Sequence, residues 1–189
     1  MIITLPEVTR AIYGAFRLLR LDRSGYSLLD DSDRGFAMSF WSAIFVLPGY
    51  FVLGHFAPEM ESGATSPARQ ITVDVLHYIV GWTAYPVAMY FIAAHLGRLD
   101  RYRLYVVAYN WAVVPQVFAL TTAAMLVRSG LLPPDAGSFV SLVLTFGILF
   151  WIGFLARTAL DVPLPMAAGI VGFDILLTIS LEQLRQMMI

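Results

Sequence analysis

The residues best placed to do chemistry are ionisable groups set inside long apolar runs. Asp174 sits near the middle of the run from Met166 to Arg185, and at helical spacing Asp174, Thr178, Glu182 and Arg185 share one face through i, i+4, i+8 and i+11. A second face, on the run from Ile71 to Leu96, carries Asp74, His77, Gly81, Tyr85 and Ala88. The run from Leu104 to Val127 contributes Gln116 beside Pro115, with Asn110 and Thr121 on another face. A charge in hydrocarbon costs about 2.5–3.5 kcal/mol on insertion scales, so such groups turn toward the bundle or toward a wet cavity.

Four chemistries can be weighed for these groups. Asp174 can serve as the titrating group of a proton or solute pathway, or as a structural carboxyl bonded to Gln116, which the spacing places level with it at mid-depth. An aspartyl protease would need Asp74 and Asp174 side by side, sharing a proton. Asp74 lies about 13 Å from the middle of its run by helical rise, which excludes that pairing. Haem or chlorophyll ligation would draw on His55, His77 or His95. His77 and His95 are about 27 Å apart on one helix and cannot hold one ring, whereas His55 and His77, both near the same end, could. Apart from that option no cofactor or metal is expected.

The elements that must position these residues are five apolar runs at about 36–54, 71–96, 104–127, 138–156 and 166–185. Crossing a hydrocarbon core of about 30 Å takes about 20 helical residues, and the runs match that length. Hydrophobic residues make up 59% of the chain and charged ones 13%, and mean hydropathy is +0.73. The spacing therefore predicts an all-α membrane bundle of five helices over 36–189, preceded by a segment over 1–35. Pro48-Gly49 is expected to kink the first helix. Ala84 with Ala88, and Ala168 with Gly172, have the small-residue spacing that lets helices approach closely.

In the N-terminal segment, residues from Leu5 to about Leu21 follow a helical pattern. Leu5, Val8, Ile12, Ala15, Phe16 and Leu19 fall on one side, and Arg10 and Arg17 opposite. Such an amphipathic helix suits a membrane interface, its basic side near head groups, or packs on the protein's own helices. Glu7, Arg10, Arg17 and Arg20 interrupt the first twenty residues, so a cleaved signal peptide is not expected. Asp31, Asp33 and Gly35 resemble part of a calcium loop, but Ser42 stands where the closing glutamate belongs. These acids are expected to cap the first membrane helix instead.

Arginine supplies all twelve basic residues. Nine fall at one side of the predicted bundle, including Arg10, Arg17 and Arg20 and the Arg98, Arg101 and Arg103 of the second connection. Arg69, Arg128 and Arg185 fall on the other. Basic loops stay cytoplasmic, so the N-terminus is expected inside and the C-terminus outside, in a bacterial inner membrane. With a net charge of −1 nothing points to nucleic acid, and no nucleic-acid partner is expected. Without lysine there is no P-loop lysine or Schiff base, and without cysteine no thiolate metal site or disulfide.

Five spans behind an N-terminal segment, with Gly and Pro inside the spans and Tyr109 through Pro115-Gln116 on the third, resemble the Yip1-domain membrane proteins over Phe36 to Leu184. That resemblance implies a five-helix membrane fold and, from the eukaryotic members, a place in vesicle traffic. With no nucleophile elbow, zinc motif or P-loop, the sequence predicts a non-enzymatic accessory, scaffold or assembly subunit. Its partners would be the lipid bilayer and a membrane protein or a second copy of itself. The alternative is a small proton-coupled transporter or channel-like protein using Asp174.

Overall fold

The computed structural model describes residues 3–56 and 66–189, with side chains as far as Leu53 in the first stretch. Among them the α-helices are α1 (Leu5–Leu19), α2 (Asp33–Ser39), α3 (Trp41–Phe56), α4 (Pro67–His95), α5 (Tyr102–Arg128), α6 (Pro134–Ala159) and α7 (Leu164–Met188). Short 3-10 turns lie at Arg23–Leu28 and Leu99–Arg101. Five stretches are long and apolar enough to cross a membrane: Asp33–Leu53, made of α2 and α3, then α4, Leu99–Arg128, α6 and α7. At most 28% of the most apolar window in each is buried. Helices whose backbone bonds close internally can show such surface to lipid, whereas a soluble monomer rarely leaves so much exposed. The chain is an integral membrane helix bundle.

The helical hydrogen-bonded run of the first membrane helix is not broken at Pro48. α3 runs through that proline, and the break comes at Phe40, between α2 and α3. Two serines explain it. Ser39 Oγ donates to the Phe36 carbonyl (2.7 Å) and Ser42 Oγ to the Ser39 carbonyl (2.6 Å), and such back-bonding competes with the helical ladder. An acid does sit at the start of this helix, Asp33 in its first turn, but the cap itself is a serine. Ser32, not an aspartate, accepts the Gly35 N–H (3.1 Å), Asp30 accepts the Ser32 N–H (3.0 Å), and Asp33 pairs with Arg103. A Cβ on Gly35 would meet the Asp30 carbonyl, so this tight turn requires glycine.

α4 ends in a Schellman motif. Gly97 takes the left-handed conformation (φ 66°), Gly97 N donates to the Ala94 carbonyl, and Arg98 N to that of Ala93. The chain thereby reverses into α5.

Contacts between connections define two ends of the bundle. Tyr26 meets Thr158 of α6 at 2.6 Å, and Arg98 and Arg101 face Asp161 at 3.9 and 4.0 Å. The N-terminal segment, the α4–α5 link and the α6–α7 turn therefore share one arginine-rich end. The close of α3, the start of α4 and the close of α7 meet at the other.

α1 is held by the protein through a face next to the expected one. Val8, Ala11, Ala15 and Leu18 are buried, whereas Leu5, Phe16 and Leu19 of the predicted stripe remain exposed. Small residues decide this rotation: Gly14 and Gly25 approach so closely that a Cβ on Gly25 would stand 2.6 Å from the Gly14 carbonyl. Large side chains on that face would hold α1 away from the turn beneath it.

Candidate functional site

Two polar clusters and a cavity lie along the seam where α3, α4, α5 and α7 meet. Asp174, on α7, is buried. The Tyr109 hydroxyl of α5 donates toward both its carboxylate oxygens, each at 3.1 Å. Tyr85 of α4 stacks on Tyr109 with centroids 4.4 Å apart and rings 24° from parallel. Tyr85 also shares a hydroxyl hydrogen bond with buried Tyr105. One carboxyl and three phenols thus join three helices.

Gln116 is not the partner of Asp174. It is half-buried two turns farther along α5. α7 begins at Leu164 and α5 at Tyr102, so Asp174 lies about 15 Å into its helix, Tyr109 about 10 Å and Gln116 about 21 Å. Tyr109 and Gln116 thus fall about 5 Å before and about 6 Å beyond Asp174, and it is the longer phenol that makes the contact. Tyr102, Tyr105 and Tyr109 fall at i, i+3 and i+7, a stripe that could have pointed to this cluster in the sequence. Asn110 turns elsewhere and donates its side-chain N–H to Ser39 Oγ (2.9 Å). Thr121 Oγ1 is buried without a hydrogen-bond partner among the described residues.

At the far end, the two faces predicted separately come together. Arg185 grips Glu182 through Nε (3.0 and 3.1 Å) and Nη2 (2.7 Å), and crosses to Asp74 of α4 through Nη1 (3.1 Å). His77 Nε2 stands 3.8 Å from Glu182, and its Nδ1 meets the Tyr50 hydroxyl at 3.3 Å. Tyr50, whose place near the end of its span suits an interfacial aromatic, is not among the polar candidates that the sequence offers. Asp74 and Asp174 thus serve different clusters, so no shared-proton dyad forms. The His55 side chain lies outside the described residues.

Between the clusters is a cavity of about 320 Å³ whose walls include Tyr50, His77, Trp82, Tyr109, Asn110 and Thr178. Thr178 lines it without bonding Asp174. Gly81 also borders it, and no atom lies within 4 Å of where its Cβ would be. Close helix approach occurs instead at Gly49 of α3, where a Cβ would stand 2.5 Å from Val117 of α5. The predicted small pair on α7 makes no close approach among the described residues: Ala168 is exposed, and a Cβ on half-buried Gly172 would have no neighbour within 4 Å. Ala84 and Ala88 are half-buried.

The chain matches no protein-family model, no curated protein and no solved structure.

Most of the arginines expected at head groups are engaged by the protein. Arg10 donates to the Ser27 carbonyl (3.0 Å), Arg17 pairs with Asp22 (2.7 Å), Arg98 and Arg101 face Asp161, and Arg103 pairs with Asp33. Arg20 is exposed. Hydrogen bonds from Ser24 and then Arg17 hold the Asp22 carboxyl at about 2. Burial pushes the Tyr26 phenol up to about 12. These bonds fasten the N-terminal segment to itself and to the bundle.

Proposed function

We propose that this protein is a non-enzymatic accessory, scaffold or assembly subunit of a membrane complex. The observation that supports the reading most directly is the internal pairing of its intramembrane charges. Asp174 is taken up by Tyr109, and Asp74, Glu182 and Arg185 by one another. Polar groups spent in this way clasp helices, as interhelical hydrogen bonds do in other membrane proteins. The open Ala168 and Gly172 face of α7 would be left for a partner helix. The five-span outline implied by the Yip1-domain resemblance belongs to the same proposal, as does placement in a bacterial inner membrane with the arginine-rich end toward the cytoplasm.

The test is purification of the tagged native protein in mild detergent. A second membrane protein held at fixed stoichiometry, and lost on Gly172→Leu, is the expected result. Recovery of monomer or homo-oligomer alone would overturn the accessory role.

The cavity between Tyr50 and Tyr109 favours a second reading, a small proton-coupled transporter with Asp174 as its coupling carboxyl. Asp174→Asn separates the two. A transporter in proteoliposomes would lose pH-dependent flux, whereas an accessory subunit would keep its partner.

A further inference from the structure

The cavity has a composition that neither reading requires. Tyr78 stands edge-on to Tyr50, with centroids 4.9 Å apart, and Trp82 lies 6.2 Å from Tyr78. Together they make a continuous aromatic wall on α3 and α4, and Tyr109 of α5 adds a fourth ring to the lining. Aromatic faces carry negative electrostatic potential and attract weakly hydrated cations.

Charge around the cavity has the same sign when His77, which lines it 3.8 Å from Glu182, is neutral. Tyr109 carries Asp174 on its hydroxyl, and at the other end Asp74 and Glu182 exceed Arg185 by one formal negative charge. Neither an arginine nor a carboxylate lines the cavity itself among the described residues; the carboxylates stand behind Tyr109 and His77. Asn110 commits its N–H to Ser39, and no hydrogen bond to its carbonyl oxygen occurs among the described residues, which leaves an acceptor in the lining. An anion would meet negative potential here. A small hydrated metal ion would find π-faces where it needs a shell of oxygens.

We infer that the cavity between α3, α4, α5 and α7, walled by Tyr50, Tyr78, Trp82 and Tyr109, binds an organic cation of the quaternary-ammonium class. The aromatic rings supply the attraction and shape, and the carboxylates at either end supply the charge preference. Binding requires neither transport nor a protein partner, so it stands or falls apart from both functional readings.

The full chain in detergent is dialysed to equilibrium against benzyltrimethylammonium and, separately, its uncharged carbon isostere neopentylbenzene, with uptake by empty micelles subtracted. Saturable uptake of one cation per chain is expected, with the isostere bound at least about tenfold more weakly. Trp82→Leu should weaken the cation about tenfold, while Trp82→Phe, which keeps an aromatic face, should keep most of the affinity. Glu182→Gln, which removes the excess negative charge and leaves the four rings in place, should weaken the cation and leave the isostere unchanged. No saturable uptake, equal uptake of the two probes, or unchanged cation affinity in a folded Trp82→Leu or Glu182→Gln protein would each overturn the assignment.

Discussion

The Tyr109 hydroxyl is equidistant, at 3.1 Å, from the two carboxylate oxygens of Asp174. This contact ties α5 to α7 where both helices are buried against Tyr85. Tyr109→Phe removes the donor and leaves a buried carboxyl without it, a loss of about 1–2 kcal/mol. Asp174→Asn keeps an acceptor for the phenol and should cost less. Reversible unfolding in detergent measures both, and equal losses would show that the hydrogen bond is not what holds the pair.

Arg185 is the hinge of the second cluster because it bonds Glu182 on its own helix and Asp74 on α4. Arg185→Gln leaves two carboxylates facing each other, so it should destabilise by about 1–2 kcal/mol, against about 0.5 kcal/mol for Asp74→Asn. High salt should shrink the Asp74→Asn effect. A larger loss from Asp74→Asn than from Arg185→Gln would reverse the assigned roles.

Gly49 and Gly172 should answer oppositely to one added methyl. At Gly49 the new Cβ would press on Val117, a stiff β-branched neighbour, and overpacking of this kind costs about 1–3 kcal/mol. The double variant Gly49→Ala with Val117→Ala should recover part of that loss. Gly172→Ala meets nothing within 4 Å among the described residues and gains helix propensity, so the melting temperature should hold or rise. Thermal unfolding of the three proteins decides the matter.

The N-terminal helix should loosen only in strong acid. Glu7 accepts hydrogen bonds from Arg34 and from Thr4, which lower its carboxyl from about 4.5 to about 2. A carboxyl lowered on folding stabilises fully above its unfolded value, and that contribution fades as pH falls through 4.5 toward 2. Proteolysis within α1, followed against pH, should accelerate in that window. Glu7→Gln should remove part of the change, with Asp22, lowered to about 2 and paired with Arg17 of α1, supplying the rest, and a wild-type transition near neutrality would point to another group.

Sidedness is checked by reporters. Fusions before Met1 and within the Arg98–Arg103 link should report one compartment, and a fusion after Ile189 the other. Agreement of all three would mean that α7 does not cross.

Much of the architecture was legible because it depends on local properties. Apolar runs of spanning length become helices wherever lipid is the solvent, and the five runs match the five long helices within a few residues at most ends. Helical periodicity also placed Asp174, Thr178, Glu182 and Arg185 on one face and Asp74 with His77 on another. Periodicity cannot say which face of a neighbour each one meets. That depends on the axial offset and rotation of packed helices, and two residues of offset displace a side chain by about 3 Å, the length of a hydrogen bond. Tertiary packing therefore chose Tyr109 over Gln116 for Asp174. It turned α1 onto its alanines and glycine, and it brought Asp74 and His77 to Glu182 and Arg185. The sequence by itself determined which segments cross and which residues share a face, because both follow from one helix at a time. Only the tertiary structure decided who meets whom, because that is a property of pairs of helices.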